Sequence, residues 1–596
     1  MGKVPFTSNR VFCFLFSLSA LSVALAKGLF IEKYWGSLTG QTNSFFFFSV
    51  LKHDAIIVAV VLLIYLLSLR IQYRVIHIFL RIVIVIIAGI YCLDFAIISV
   101  FNTRITLDDV FKYALYAPAF VWAALTDAFS PVILIMILAV GAIVMWVVLS
   151  FVFKPIAIGA RSRKEWMVTA AGLMLIYFLP SQNVYIHSWV YQNVFEYNFA
   201  RGVNIEYSEG FTQSLKEREE KILHQVCWEN AWPRSCNIVV VVLESLSMYH
   251  SRFFSGITNM MPHLDHIAAG STSFINFYSN GFTTESALTA MLLGIPAVPP
   301  VYHYTENEGD FSFKGYYDMT ESLPRKLKAR GYTTEFLTSG DLSFGGKSQW
   351  LKSIGFDYLE GHDHPDYDRW KRYLFNAAPD EALYARALER VFNVKRQTPF
   401  FIMVETVSTH HPFYDPESEQ RSEKKVFAYA DRELKKFYDD LQRKGFFDNG
   451  IILITSDQHS MKPLSREEIQ RFGNRAYARI PLIISGANFG PKIVEEPFQQ
   501  IDLYSSLVND VYPQRCVSIW RGDFLASPRQ PAECIFYIRG DDRDVISVFC
   551  GDKTGYIHLE GDRTRVTGVT SLDPQIILDK VNFERLRRVS EKPSVD

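Results

Sequence analysis

Hydrophobic positions along the chain fall into two textures. Up to about residue 180, apolar residues run almost unbroken through five stretches, Val11–Ala26, Ala55–Leu69, Ile82–Phe101, Pro131–Phe153 and Trp166–Leu179. Each is near the length a helix needs to cross a roughly 30 Å hydrocarbon core. The second and fifth are short and read either as tilted spans or as buried helices. The first lacks a small-residue cleavage site with a clear mature start and has further spans behind it, so an uncleaved anchor is expected. From Asn237 the apolar runs shrink. Ile238–Leu243, Phe274–Tyr278, Phe400–Val404 and Ile451–Thr455 read as strands, and Met261–Ala269 as a helix. Continuous apolar strands separated by helical segments predict a mostly parallel sheet covered on both faces.

The pattern divides the chain into an α-helical membrane domain of about five spans over 1–180, a polar juxtamembrane connector over 181–235, and an α/β domain over 236–535. Thr212–Gln225 in the connector reads as an exposed amphipathic helix. Beyond it, 536–596 alternates apolar and polar residues, which suggests a few strands packed on the main sheet. No internal repeat or low-complexity tract interrupts this order.

Charge orients the membrane part. Residues 1–180 carry 14 Lys/Arg against 7 Asp/Glu, and the rest carries 47 against 55, although the 596-residue chain nets only −1. That balance removes any case for a nucleic-acid partner based on overall basicity. Lys3 and Arg10 precede the first span, Arg70 and Arg74 follow the second, and Lys154, Arg161, Arg163 and Lys164 follow the fourth. Cytoplasmic loops retain positive charge, so these three connections lie inside and the body after Ser181 lies outside. Arg81 sits near a span end, where it can snorkel; Asp94 is deeper. The amphipathic, aromatic segment Asn102–Ser130 is expected on the outer interface.

Five of the seven cysteines, Cys227, Cys236, Cys516, Cys534 and Cys550, fall in the outer portion, where disulfides are permitted. The count is odd, so at least one thiol is left over. Cys227 with Cys236 is the pair expected from proximity in the chain.

In parallel sheets ligands collect beyond the carboxyl ends of the strands. Glu244-Ser245 follows Ile238–Leu243, Ser456-Asp457-Gln458-His459 follows Ile451–Thr455, and Thr409-His410-His411-Pro412 follows Phe400–Val404. Carboxylates and imidazoles converging at one sheet edge suit a divalent metal. Singly, each also reads as a cap or loop residue. A fourth element, Gly281-Phe282-Thr283-Thr284-Glu285-Ser286 leading to Gly294-Ile295-Pro296, places hydroxyls at a helix start. There they serve either as an N-cap or as a nucleophile activated by the helix terminus and a metal.

These elements together resemble the alkaline phosphatase/sulfatase superfamily, and within it the membrane-anchored branch of lipoteichoic acid synthases and glucan phosphoglycerol transferases. Thr284 stands ten positions before Gly294, which resembles the family's spacing from its nucleophile, while the Gly-x-Thr register of the lipoteichoic acid synthases, read from Gly281, points to Thr283. Phe336-Leu337-Thr338-Ser339-Gly340-Asp341 through Gly345-Gly346-Lys347 is similar to the glucan transferases. Asp380-Glu381-Ala382-Leu383, Thr409-His410-His411-Pro412, Arg479-Ile480-Pro481-Leu482 and Ile501-Asp502-Leu503 follow in family order.

The resemblance implies an extracytoplasmic, alkaline-phosphatase-like catalytic domain, periplasmic or its equivalent, on a multi-pass anchor in the bacterial cytoplasmic (inner) membrane. It implies one divalent metal ion, Mn, Zn or Mg, on Glu244, Thr284, Asp457 and either His459 or Gln458. Thr284 is the implied nucleophile, His410 a catalytic residue at the phosphate, and His411 and Asp341 further substrate contacts. The family places His directly after the Asp, where this chain has Gln458. Either a local bulge brings His459 to the metal, the favoured expectation, or Gln458 supplies an oxygen. The implied reaction moves phosphoglycerol from a phosphatidylglycerol-like phospholipid donor to an exported glycan or glycolipid acceptor through a phospho-threonine.

Three other readings share the fold. A sulfatase needs Cys or Ser at the nucleophile, usually followed by Pro and Arg, whereas 284–288 read Thr-Glu-Ser-Ala-Leu. Phosphoethanolamine transferases commonly place Cys beside the nucleophile, and none lies between Cys236 and Cys516. An inactive scaffold or transport accessory draws its support from Gln458.

Overall fold

The computed structural model describes residues 27–28, 46–68, 73–101, 104, 167–172, 174–175 and 192–201, together with 207–590 except 231–233, 300–312, 314–315, 317–318, 463, 487, 541–543 and 569. The chain separates into two compact units, Met1–Val203 and Asn204–Asp596.

In the first unit the helix Arg74–Phe101 contains the third expected span, and Phe46–Ser68 covers the second up to Ser68. Leu69, Val11–Ala26 and Pro131–Phe153 lie outside the described residues, and of Trp166–Leu179 residues 167–172 and 174–175 are described. Among the described residues no helix is long and apolar enough to cross a membrane. Buried charges here are paired, as the cost of burying a lone ion requires. Lys27 Nζ lies 2.7 Å from Asp54 Oδ2. The deep Asp94 is met by Arg104, which also donates to the Gln192 carbonyl at 2.5 Å.

Among the described residues of the second unit, β-branched and aromatic runs become sixteen short strands. In chain order these are β1 Val226–Glu229, β2 Asn237–Leu243, β3 Thr272–Phe274, β4 Phe277–Tyr278, β5 Thr333–Thr338, β6 Tyr358–Glu360, β7 Phe400–Glu405 and β8 Gly450–Ser456. There follow β9 Leu482–Gly486, β10 Lys492–Val494, β11 Phe498–Gln499, β12 Gln514–Val517, β13 Ile535–Ile538, β14 Val545–Cys550, β15 Lys553–His558 and β16 Arg565–Gly568. Eight form the central sheet, in the order β10-β3-β9-β8-β2-β7-β5-β6. All its neighbours pair in parallel except β9, which is antiparallel to both β3 and β8. The sheet is therefore mixed but mostly parallel. The apolar run Phe274–Tyr278 is not one strand: it is split between β3 and β4, and β4 pairs with β11.

Alternation along β2 fills both faces. Ile238, Val240 and Val242 enter one core with Leu288, Met291 and Leu507, while Val239, Val241 and Leu243 enter the other with Leu264, Leu434 and Phe437. Each such burial is worth roughly 1.5–3 kcal/mol, so the register of β2 is fixed by two cores at once. Parallel pairing then aligns strand ends: Leu243 faces Ser456, and Val242 and Thr338 both face Glu405.

The C-terminal strands do not extend that sheet. β13 to β16 form a separate antiparallel sheet of their own, followed by the helix Pro574–Ser590, which the alternating pattern did not announce. The sheet rests on the central domain through Tyr278 and Ala478. Residues 207–222 dock on the last helix: Tyr207 Oη donates to Asn582 Oδ1 at 2.5 Å, and Arg218 lies 3.0 Å from Asp579.

The expected Cys227–Cys236 bond is replaced by Cys227–Cys516 and Cys534–Cys550. Strand register explains both bonds. β1 sets Cys227 directly opposite Cys516 on β12, and Cys534 and Cys550 are the next rung beyond the Ile535–Phe549 pair. Cys236, one residue ahead of β2, stays a thiol whose pKa burial pushes up to about 11.

Candidate active site

The carboxyl edge of β8, β2 and β7 collects the candidate chemistry. Glu244 leaves β2, Asp457 leaves β8, and Glu405 ends β7; all three are buried. Ser245, just past Glu244, has φ 55, a left-handed conformation uncommon for a residue with a side chain. Its geometry is held by the two carboxylates: its N–H donates to Asp457 Oδ1 at 2.8 Å and its Oγ to Glu244 Oε1 at 2.6 Å. Strained backbone of this kind concentrates at sites where the surroundings over-determine it.

The helix Thr284–Leu293 separates the two adjacent threonines. Thr283 is the N-cap, in extended conformation, with its Oγ1 accepting from the Ser286 N–H at 3.3 Å. Thr284 opens the helix and donates its hydroxyl to Asp457 Oδ2 at 2.8 Å. The helix ends at Gly294 with φ 65, and a Cβ there would fall 2.7 Å from the Tyr504 ring, so only glycine closes this helix without strain. The loop that leads into Thr284 is braced from behind. Asn280 receives a backbone hydrogen bond from Ile538 at 3.0 Å, and Gly540 passes so close to Phe282 that a Cβ would meet its ring at 1.9 Å.

Burial raises the Glu244 pKa to about 7, with the Glu405 charge adding to it against the Ser245 hydrogen bond. Burial, and then the Glu244 charge, push Asp457 well above the usual carboxylate range. Two buried carboxylates beside a hydroxyl form a site that favours either a proton or a cation. The donor set tests whether a divalent ion fits. Glu244, Asp457 and Thr284 supply hard oxygens, and the carboxylates' repulsion is what a cation would relieve, so the residues fit such an ion.

Of the two candidates for a further ligand, His459 turns away from this group. Its Nδ1 meets the Ser460 carbonyl at 2.6 Å and its Nε2 meets Glu468 Oε1 at 2.8 Å. Gln458 is fully buried beside Asp457.

His410 comes from the loop after β7, and that loop is fastened to the site at both ends. Thr406 Oγ1 accepts from the Glu244 N–H at 3.0 Å, and Thr409 Oγ1 donates to the Glu244 carbonyl at 2.6 Å. Buried Asp380 accepts from the N–H groups of Val407 and Ser408 at 3.2 and 3.1 Å. His410 Nδ1 meets the His411 carbonyl at 2.6 Å, with the Phe375 ring 5.1 Å away. Burial lowers its pKa, against an opposing pull from that carbonyl contact and from Asp457. A neutral ring with Nδ1–H on a carbonyl leaves Nε2 as the acceptor.

His411 packs its ring on Phe413 at 5.1 Å. Asp341 lies past the end of β5 and accepts from the Ser343 N–H at 2.7 Å.

Sequence reasoning missed two participants. Lys347 Nζ lies 2.9 and 2.8 Å from the two oxygens of Glu405 and acts electrostatically on both Glu244 and His410. It was visible only as the end of a Gly-Gly-Lys run. Gln500 Nε2 donates to the Ser456 and Asp457 carbonyls at 2.9 and 2.7 Å, and its Oε1 accepts from the Asn280 N–H at 3.0 Å. It ties the loop that leads into Thr284 to the end of β8, and nothing in its local sequence signals this.

Comparison with known proteins returns the expected superfamily and its lipoteichoic acid synthase-like branch. The sulfatase family model matches residues 236–509. Lipoteichoic acid synthase of Staphylococcus aureus is 25% identical over 247 residues, which is 38% of this chain. The match spans 36% of that protein's length. A protein in the alkaline phosphatase superfamily from Vibrio parahaemolyticus superposes with a TM-score of 0.50 at 18% identity, covering 65% of this chain and 97% of the other. The lipoteichoic acid synthase LtaP from Listeria monocytogenes, at 16% identity over 63% of this chain and 96% of its own, gives 0.47. At 18% identity the Vibrio superposition speaks for the fold alone: an alkaline-phosphatase-like domain around a mixed, mostly parallel sheet.

Proposed function

We propose that the chain is a membrane-anchored transferase that moves phosphoglycerol from a phosphatidylglycerol-like headgroup to an exported glycan or glycolipid, through a covalent intermediate on Thr284. The observation that carries this reading is the Thr284 hydroxyl, first in its helix, donating to Asp457 at 2.8 Å beside Glu244.

Glu244, Thr284 and Asp457 would hold the divalent ion, which supplies charge neutralisation for the oxygens that gain negative charge. In the first displacement Thr284 Oγ1 attacks phosphorus, and the bond from phosphorus to the diacylglycerol oxygen breaks. Asp457 Oδ2 is the first station for the Thr284 proton, and that proton ends on the leaving diacylglycerol oxygen. The helix N-terminus favours the phosphate held there. In the second displacement an acceptor hydroxyl oxygen attacks phosphorus and the bond from phosphorus to Thr284 Oγ1 breaks, while His410 Nε2 takes up the acceptor's proton and that proton is returned to Thr284 Oγ1. Lys347 adds a positive charge near the transferred group.

A multi-pass anchor in the bacterial cytoplasmic membrane, with residues 181–596 outside, fits a donor that sits in the outer leaflet. The test is mass spectrometry of the Thr284 peptide after incubation with phosphatidylglycerol and no acceptor. Phosphoglycerol on Thr284 is the expected result. Phosphoethanolamine transferred from phosphatidylethanolamine instead would change the donor, and an unmodified threonine with both lipids would overturn the reading.

A further inference from the structure

The end of β8 keeps a buried amide that the surrounding protein does not satisfy. Gln458 is 0% exposed, and neither its Oε1 nor its Nε2 has a hydrogen-bond partner among the described residues. Its backbone is fully engaged: the N–H donates to Asp457 Oδ1 at 2.7 Å, and the carbonyl accepts from Ser456 Oγ at 3.0 Å. Leaving a buried polar group unpaired costs roughly 1–3 kcal/mol, so its retention needs a physical reason.

His459 presents the opposite case. Both ring nitrogens face oxygen acceptors, the Ser460 carbonyl and Glu468, and Glu468 is itself fixed by the Ser465 N–H at 2.9 Å. With Nδ1 directed at the Ser460 carbonyl and Nε2 at Glu468, each ring nitrogen is engaged by a protein oxygen other than those of Glu244, Thr284 and Asp457. Among the described residues no group of three or more His, Cys, Asp or Glu is arranged to hold a metal, which leaves two carboxylates and neutral oxygens as the donors.

We propose that the metal centre of this chain is built from oxygen alone, the Gln458 amide oxygen joining Glu244, Thr284 and Asp457, and that it selects hard divalent cations against zinc. The inference rests on the reading that a divalent ion assists Thr284. Carboxylate, hydroxyl and amide oxygens suit Mg, Mn and Ca, whereas an imidazole in the set favours Zn. His459 is then a supporting residue, held by Glu468, that shapes the strand end.

The test uses the full chain in detergent, stripped with a chelator and titrated separately with Mg, Mn, Ca and Zn ions by calorimetry. Mn is expected to bind, Gln458→Leu to weaken it at least tenfold, and Gln458→His to raise zinc affinity relative to Mn at least tenfold. Pulsed electron paramagnetic resonance of the Mn-loaded wild type needs no variant to fold. It should show no directly coordinated nitrogen, and Gln458→His should acquire one. A coordinated nitrogen in the wild type that disappears in His459→Ala, or an unchanged Mn affinity in Gln458→Leu, overturns the proposal alone. Failure of the wild type to bind any of the four ions overturns the metal-assisted reading as well.

Discussion

Two buried polar clusters share the residues that follow β8 and are built in opposite ways. Towards Thr284, Glu244 and Asp457 lie together, each made harder to ionise by burial and by a neighbouring carboxylate, and Gln458 beside them has an unpaired amide. One residue further on, His459 is bonded at both nitrogens, and Glu423 is surrounded by Tyr249, His250 and Lys462. Burial works against the Glu423 carboxylate, yet His250 and Lys462 outweigh it and hold its pKa down to about 2. The contrast separates support from chemistry. A satisfied network rigidifies the strand end, whereas like charges left facing one another mark the place where a ligand is expected.

The strongest way to break the comparison is Thr284→Ala. Removing the hydroxyl should lower turnover at least thousandfold and abolish the covalent adduct, since nothing else occupies its place in the first turn. Turnover assays together with mass spectrometry check this, and an adduct on another residue would relocate the chemistry.

His459→Ala probes the satisfied cluster. It leaves Glu468 buried without its partner, so a loss of about 3 kcal/mol in stability is expected, while cation affinity stays within twofold. Denaturant melts and calorimetry on the same sample separate the two effects. A lost cation with unchanged stability would reverse the roles assigned to the clusters.

The pH dependence sharpens the contrast further. In chelator-treated protein the folded state holds the Glu244 proton up to about 7, whereas the unfolded chain releases it near 4.5. The folded state therefore binds more protons between those values, and this group's contribution to stability is lost as pH rises from 4.5 through 7. Adding Mn should flatten or reverse that decline, because the bound cation replaces the proton. Thermal melts at pH 5 and pH 7.5, with and without Mn, measure the sign directly.

The smallest effect belongs to Thr283→Ala. Loss of an N-cap costs about 1 kcal/mol, so a modest drop in melting temperature is expected and most turnover should remain. An equal collapse in Thr283→Ala and Thr284→Ala would show that the cap and the nucleophile cannot be separated as their hydrogen bonds suggest.

The chain announces its layout where one local property is enough. Ile238–Leu243, Phe400–Val404 and Ile451–Thr455 are strands because continuous β-branched and aromatic runs need cover on both faces, and their ends are legible because polarity begins where burial stops. That reasoning reaches Glu244, Asp457 and the His410 loop. It does not reach decisions that depend on which segment lies opposite. Cys227 bonds Cys516 because β1 and β12 pair, 289 positions apart, and Lys347 meets Glu405, the last residue of β7, across 58 positions. The C-terminal strands build a sheet of their own because each pairs antiparallel with the next and none, among the described residues, with the central sheet. Which of Gln458 and His459 faces a ligand is also a tertiary matter. Adjacent side chains leave a strand in different directions, and the Ser460 carbonyl and Glu468 capture one of them while its neighbour stays unpaired.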